Sequence, residues 1–167
     1  NNNNLLANNK VVLADVRAWG EHIGVSHKYT FMSQLGRIPN SKWARWGPDT
    51  YEGGDFWHLT SGRLRDLKVI ETMWRSNGIH KPNNPNQKVI FYCGSGWRSS
   101  LAWVLARLMG WTNVSNYDGG WLEWAHSHPN SRNHKIEIVG PCPEPIWVVE
   151  NLENGGRDQL TEHDDDH

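Results

Sequence analysis

The feature of the sequence that most constrains the fold is a short apolar run that leads into a glycine-rich loop. Val89-Ile90-Phe91-Tyr92 is β-branched and aromatic and fits a central strand. The loop Cys93-Gly94-Ser95-Gly96-Trp97-Arg98 follows at once. Beyond it, apolar residues at 101, 102, 104, 105, 108 and 109 form one stripe at helical spacing, which Gly110 closes. The order strand, loop and helix is therefore predicted around Cys93.

The rest of the chain repeats this alternation. Apolar runs predict strands at residues 11–14 and 114–117, and periodic apolar positions predict helices at 64–74 and 121–127. Residues 18–62 are rich in Gly, Trp and Ser without a sustained period, so we expect a long irregular excursion with at most a short strand near Ile38. Strands alternating with helices predict an α/β fold, a central parallel sheet with helices on both faces.

The length of 167 residues suits one domain with a hydrophobic core. We divide the chain into a polar N-terminal lead at 1–9, the domain at 10–140 and a C-terminal extension at 141–167. The pattern of strands and helices is lost in that extension, and its last residues are acidic. We therefore expect the extension to be partly mobile.

Composition excludes several kinds of partner. Lys and Arg number 17 against 18 Asp and Glu, so no broad basic face is expected for nucleic acid or an anionic membrane. No apolar run is long enough to span a bilayer. The chain is predicted to be soluble, with the cytoplasm favoured over export and the compartment otherwise unknown.

Only two cysteines occur, Cys93 and Cys142, which are too few for a disulfide scaffold or a structural zinc site. The nine histidines are interpreted as solvated surface residues, so no metal is predicted. Cys142 lies between two prolines, and its role is left open between a loop bystander and a resolving thiol.

The Cys93 loop carries the chemistry. A loop that joins a strand to a helix N-terminus presents unpaired N–H groups and the positive end of the helix dipole, which favour an anion and a thiolate. Gly94 and Gly96 let successive N–H groups converge on one sulfur, and Ser95 adds a hydroxyl donor. Arg98 adds a charge whose fork suits an oxyanion. The alternative is an inert core cysteine, but the glycines and the arginine favour a nucleophile.

These residues resemble the rhodanese sulfurtransferases over about residues 10–128. The loop has the six-residue length of that family's active loop, and it begins with the cysteine. Four segments carry the resemblance together, whereas each alone is weak. They are Leu13-Ala14-Asp15-Val16-Arg17, Gly36-Arg37-Ile38-Pro39-Asn40-Ser41-Lys42-Trp43, the Cys93 loop, and Tyr117-Asp118-Gly119-Gly120-Trp121-Leu122-Glu123-Trp124.

The resemblance implies a rhodanese-like fold and a thiosulfate sulfurtransferase. Cys93 would take the sulfane sulfur of thiosulfate as a persulfide and pass it to cyanide or a thiol, without a metal or an organic cofactor. The opening Cys-Gly-Ser-Gly is also similar to the 3-mercaptopyruvate branch, so the donor stays open between the two.

The resemblance also assigns roles around the loop. Residues 94–98 would bind the substrate, with Trp97 walling the pocket. Arg17 would reach the bound anion, while Asp15 would be structural and Trp121 would lie near the site. Two positions depart from the family pattern, because Arg37 stands where a histidine is frequent and Asn40 replaces a glycine.

The segment from 20 to 63 is longer than in minimal family members and looks like the catalytic C-terminal half of tandem members. A second rhodanese domain is therefore expected in the full-length protein.

Two rival functions remain. A phosphatase or arsenate reductase also uses a cysteine and an arginine in an anion loop, but the related phosphatases need one more residue between them. A non-catalytic rhodanese-like module is the other rival, although such modules typically lack the cysteine that this chain keeps.

Overall fold

The computed structural model describes residues 10–26, 29–30, 32, 34–48, 53–58 and 61–128. The polar lead, the C-terminal extension and Cys142 lie outside these residues. In chain order, the elements of the described part are β1 (Val11–Asp15), α1 (Trp19–His22), β2 (Lys42–Trp43), α2 (Leu67–Ser76), β3 (Lys88–Tyr92), α3 (Trp97–Leu108), β4 (Val114–Tyr117) and α4 (Gly120–Ser127).

The strands of the described part form one parallel sheet in the order β2-β1-β3-β4. In the central pair, Val11 is level with Lys88 and Asp15 with Tyr92. Parallel strands end at the same edge of a sheet, so the residues that follow β1 and β3 are neighbours there. This carboxyl edge therefore brings the segment after Asp15 beside the Cys93 loop.

Each face of the sheet carries its own apolar core. Alternate residues such as Ala14, Val89 and Phe91 pack with buried residues of α2 and α3. Tyr92 packs on the other face with Trp121 and other residues of α4. Successive strand residues point to opposite faces, which explains the division. The prediction of a parallel sheet with helices on both faces is confirmed.

Trp74 is the centre of the larger core. It is fully buried, and its ring centroid lies 5.0 Å from that of Phe91 and 5.5 Å from that of Trp111. Its indole N–H donates to the carbonyl of Ala44 at 2.9 Å. This bond ties α2 to the segment after β2, so the aromatic core also fixes the excursion against the sheet.

Three elements differ from the sequence predictions. The helix predicted at 64–74 is Leu67–Ser76, because the Asp66 carboxylate caps it by accepting the N–H of Lys68 at 2.7 Å. The short strand predicted near Ile38 lies at Lys42–Trp43 instead. A one-turn helix, Trp19–His22, was not predicted, because four residues are too few to show a period.

Within the described residues, no helix combines the length and the apolar character that crossing a membrane requires.

Candidate active site

Cys93 follows β3 directly and is fully buried. Its side chain belongs to the larger core, on the same face of the sheet as Phe91. The backbone N–H of Gly96 donates to Cys93 Sγ at 3.1 Å. The sulfur thus lies beneath the first turn of α3, where backbone N–H groups and the helix dipole stabilise negative charge.

Gly96 makes this turn possible. Its φ of +90° lies in the left-handed region, and a Cβ built there would come within 2.5 Å of Asp118 Cα. Glycine is the residue that tolerates both the dihedral and the close approach of another backbone segment. The carbonyl of Gly96 accepts the Ser99 hydroxyl at 2.9 Å, which closes the loop onto α3.

The turn before α4 holds the loop from its other side. The N–H of Trp121 donates to the Cys93 carbonyl at 2.8 Å, and the N–H of Leu122 donates to the Gly94 carbonyl at 3.0 Å. Gly120 permits this contact, since a Cβ there would lie 2.6 Å from the Cys93 oxygen. These two bonds from the first turn of α4 fix the carbonyls of Cys93 and Gly94, while the Gly96 N–H on the other side of the loop donates to the sulfur.

Arg98 is fully buried and forms a fork with Glu21 rather than facing an open pocket. Its two terminal nitrogens lie 2.9 Å and 3.1 Å from the two carboxylate oxygens of Glu21. Burial acts against the charge of Arg98, but the hydrogen bonds and charge of Glu21 outweigh it and raise the pKa of Arg98. The pair joins α3 to α1, and Glu21 also accepts the N–H of Ala18.

Aromatic rings surround the Arg98 guanidinium. Its central carbon lies 5.3 Å from the ring centroid of Tyr29 and 5.6 Å from that of Trp46, both within cation–π range. The Tyr29 ring also covers Gly94, where a Cβ would meet it at 2.9 Å. Burial, opposed by Arg98, raises the pKa of Tyr29 to about 12, so this phenol stays protonated beside the loop.

Arg17 takes part in a second buried ion pair, on the α4 face of the sheet. Its guanidinium donates to both oxygens of Asp15 at 2.8 Å and to the Gly36 carbonyl at 2.8 Å. The Asp15 carboxylate also accepts the Tyr92 hydroxyl and lies 2.9 Å from His22 Nδ1. Burial favours the neutral acid, but Arg17 and the hydrogen bond with His22 lower the pKa of Asp15 below its usual range.

The other residues that the sequence analysis named at the site differ in how exposed they are. Trp97 is 57% exposed, and its ring meets Trp46 edge-on at 6.1 Å. Trp121 is buried and lies 5.4 Å from the Arg17 guanidinium carbon. Ser95 is half-buried, and no hydrogen bond joins its hydroxyl to another residue of the described part.

Sequence reasoning missed the partners of the arginines. Glu21, Tyr29 and Trp46 lie in the excursion between β1 and α2, which has no periodic pattern that would place them. The only signal was the abundance of Trp in that segment, and composition does not say which ring meets which charge. His22 was passed over in the same way, although it completes the group around Asp15.

Replacing Gly96 by alanine tests the close approach of the Cys93 loop to Asp118, with Gly62→Ala as the matched control. Both glycines have positive φ, but a Cβ at Gly62 meets nothing within 4 Å. Gly62→Ala should lower the free energy of unfolding by about 1 kcal/mol, from backbone strain alone. Gly96→Ala adds the clash with Asp118 and should cost at least about 3 kcal/mol in urea unfolding. Equal losses would contradict the close approach of these two segments.

The buried Asp15 predicts an acid-sensitive fold. A carboxyl whose pKa is lowered by folding contributes stability that is present above its unfolded pKa and is lost as the pH falls toward its folded pKa. Urea unfolding at a series of pH values should therefore show a loss on the order of 2 kcal/mol from Asp15 between about pH 5 and pH 2.

Asp15→Asn should flatten this pH dependence, whereas Asp118→Asn, at an exposed position, should leave it unchanged. Should Asp15→Asn fail to fold, His22→Gln removes one of the groups that lower the Asp15 pKa and should give a shallower slope than the wild type. Parallel slopes for all variants would rule out Asp15 as the group responsible.

The sequence of the chain matches a known protein family. Residues 2–127 match the rhodanese-like domain. The thiosulfate sulfurtransferase YnjE of Escherichia coli is 40% identical over 126 residues, which are 75% of this chain and 28% of that protein. The putative thiosulfate sulfurtransferase SseA of Mycobacterium tuberculosis is 33% identical over 69% of this chain and 36% of its own length.

Solved structures of proteins similar to this chain have the same fold. The crystal structure of YnjE superposes with a TM-score of 0.65 at 35% identity, over 86% of this chain and 32% of YnjE. Wild-type EanB gives 0.65 at 38% identity, over 74% of this chain and 28% of EanB. Other EanB structures contain hercynine or ergothioneine, one of them with a cysteine persulfide. The chain spans about a third of the length of these relatives, and it belongs to the rhodanese family.

Proposed function

We propose that the chain is a sulfurtransferase in which Cys93 carries a sulfane sulfur as a persulfide. The observation that carries this proposal is the Gly96 N–H, 3.1 Å from Cys93 Sγ at the start of a twelve-residue helix. Such a donor stabilises a sulfur anion as it forms. Relatives named thiosulfate sulfurtransferase support sulfur rather than phosphate as the group transferred.

The proposed reaction has two steps. The Cys93 thiolate attacks the outer sulfur of thiosulfate, the sulfur–sulfur bond of the donor breaks, and sulfite leaves with the electron pair. An acceptor such as cyanide or a thiol then attacks the outer sulfur of the persulfide, and the Cys93 thiolate departs. Neither step needs a metal or an organic cofactor.

The charges around the loop lead us to revise the roles of the arginines. The sequence interpretation had Arg98 and Arg17 binding the anionic donor, but each guanidinium is already forked to a carboxylate. We propose that both are positioning residues, which hold the loop and the end of β1. The loop N–H groups and the α3 dipole then face the anion, and with this arrangement thiosulfate stays the proposed donor and 3-mercaptopyruvate the alternative.

We propose residues 10–140 as the catalytic domain, with the further length of the relatives accounted for by other segments. A second rhodanese domain in the full-length protein stays a prediction. YnjE and EanB are each about three and a half times as long as the part that this chain matches, so such a domain would have room in proteins of their size.

Replacement of Cys93 by serine tests the persulfide. Wild-type protein incubated with thiosulfate should gain one sulfur atom by intact mass spectrometry, because Sγ accepts the sulfane sulfur. Cys93→Ser should gain none and should lose thiocyanate formation from thiosulfate and cyanide by at least about a thousandfold. Cys142→Ser is the matched control and should behave as the wild type. Transfer by the Cys93→Ser variant at the wild-type rate would refute the proposal.

A second candidate acceptor is a small trimethylammonium betaine such as hercynine. Both arginines are neutralised by carboxylates, while the exposed Trp97 ring is part of the Cys93 loop. Aromatic faces attract quaternary ammonium groups. EanB, a relative of this chain, has been solved with hercynine and with ergothioneine, which is hercynine carrying one sulfur on its imidazole ring.

Persulfide-loaded protein mixed with hercynine distinguishes the two acceptors. Transfer moves the outer sulfur onto the imidazole carbon, returns the ring proton to Cys93 and leaves ergothioneine, which mass spectrometry detects. If hercynine is an acceptor, Trp97→Leu should slow this step at least about tenfold. Trp103→Leu, on the same helix, should not. Loaded protein that reacts with cyanide and yields no ergothioneine would remove hercynine from consideration.

A further inference from the structure

A cavity of about 300 Å³ opens at the edge of the sheet opposite the Cys93 loop. Lys42 and Lys88 are the first residues of β2 and β3, and Lys10 directly precedes β1. The cysteine follows the other end of β3, which places the two regions about 16 Å apart for a five-residue strand. The cavity is lined by Lys10, Val12, Lys42, Gly78, His80, Pro82, Gln87, Lys88 and Val89.

The cavity is lined by positive charge, although the whole chain is slightly negative. The chain carries a net charge of −1, yet three of its seven lysines and one histidine line the cavity, and none of the lining residues is acidic. Within the described part, none of these lysines forms an ion pair with a carboxylate. The preceding residues 1–9 carry no acidic side chain either. Concentrated positive charge of this kind favours an anion.

The backbone directs two of the lysines to the same side. Lys42 is level with Ala14, which shares its sheet face with Val12 and, by alternation, with Lys10. The Lys42 ammonium lies over Gly78, where a Cβ would come within 3.0 Å of Nζ. The absence of a side chain at Gly78 therefore leaves room for the ammonium above the turn that follows α2.

We propose that this cavity binds a small organic phosphate. Lysine ammonium groups are effective point-charge partners for a phosphate dianion. Val12 and Pro82 offer apolar surface to the body of the ligand, and the volume is at the lower end of the range for small-molecule sites. The site is separate from the proposed sulfur chemistry and does not depend on it.

Isothermal titration of the full chain with inorganic pyrophosphate and with adenosine monophosphate tests the site. One-to-one binding of either probe is expected, weaker at high salt because screening reduces the attraction. Combining Lys10→Gln with Lys42→Gln should raise the Kd at least about tenfold. Lys68→Gln removes an exposed lysine of α2 outside the cavity and should leave the Kd unchanged.

Uncharged adenosine and the Cys93→Ser variant complete the experiment. Adenosine should not bind, and Cys93→Ser should bind the probes as tightly as the wild type, which separates this site from the cysteine loop. A thermal melt verifies that the double lysine variant is folded. The proposal is overturned if neither probe binds at concentrations up to about 10 mM, or if both bind the folded double variant as tightly as the wild type.

Discussion

The buried fork between Arg98 and Glu21 is the interaction on which the site depends. It joins the first turn of α3 to α1, two elements that are 77 residues apart in the sequence. Both groups are almost completely inaccessible, so losing either partner would leave an uncompensated charge at a cost of about 3–5 kcal/mol. The position of the cysteine loop under α3 is therefore coupled to the folding of the excursion after β1.

A second fork, between Arg17 and Asp15, lies at the end of β1 on the other face of the sheet, and Arg17 ties it to the Gly36 carbonyl. The two pairs make the surroundings of Cys93 rich in charged side chains but nearly neutral in sum. In such a site the orientation of backbone N–H groups, rather than the number of arginines, decides how an anion is stabilised. If the proposed sulfur transfer takes place here, the shape of the loop and the aromatic rings around it would decide which substrates fit.

Sequence reasoning predicted what depends on local pattern. The strand before Cys93 is a continuous apolar run, and the helix after it has an apolar stripe at helical spacing. Of the two loop glycines expected to allow unusual backbone dihedrals, Gly96 has a positive φ and Gly94 does not. Sequence reasoning did not predict the side-chain partners of the two arginines. An arginine in the first turn of a helix can bind a substrate anion or pair with a carboxylate of the protein. Which of the two occurs here depends on Glu21, which only tertiary packing brings near Arg98.

Cys93 is fully buried beneath the first turn of α3. A sulfur atom attached there would be sheltered from bulk thiols and oxidants, so its escape would require a local opening of the loop. The rate of release would then be set by how often the loop opens rather than by the concentration of a competing nucleophile. Burial of this kind would let the loaded chain keep its reactive sulfur until the loop opens to an acceptor.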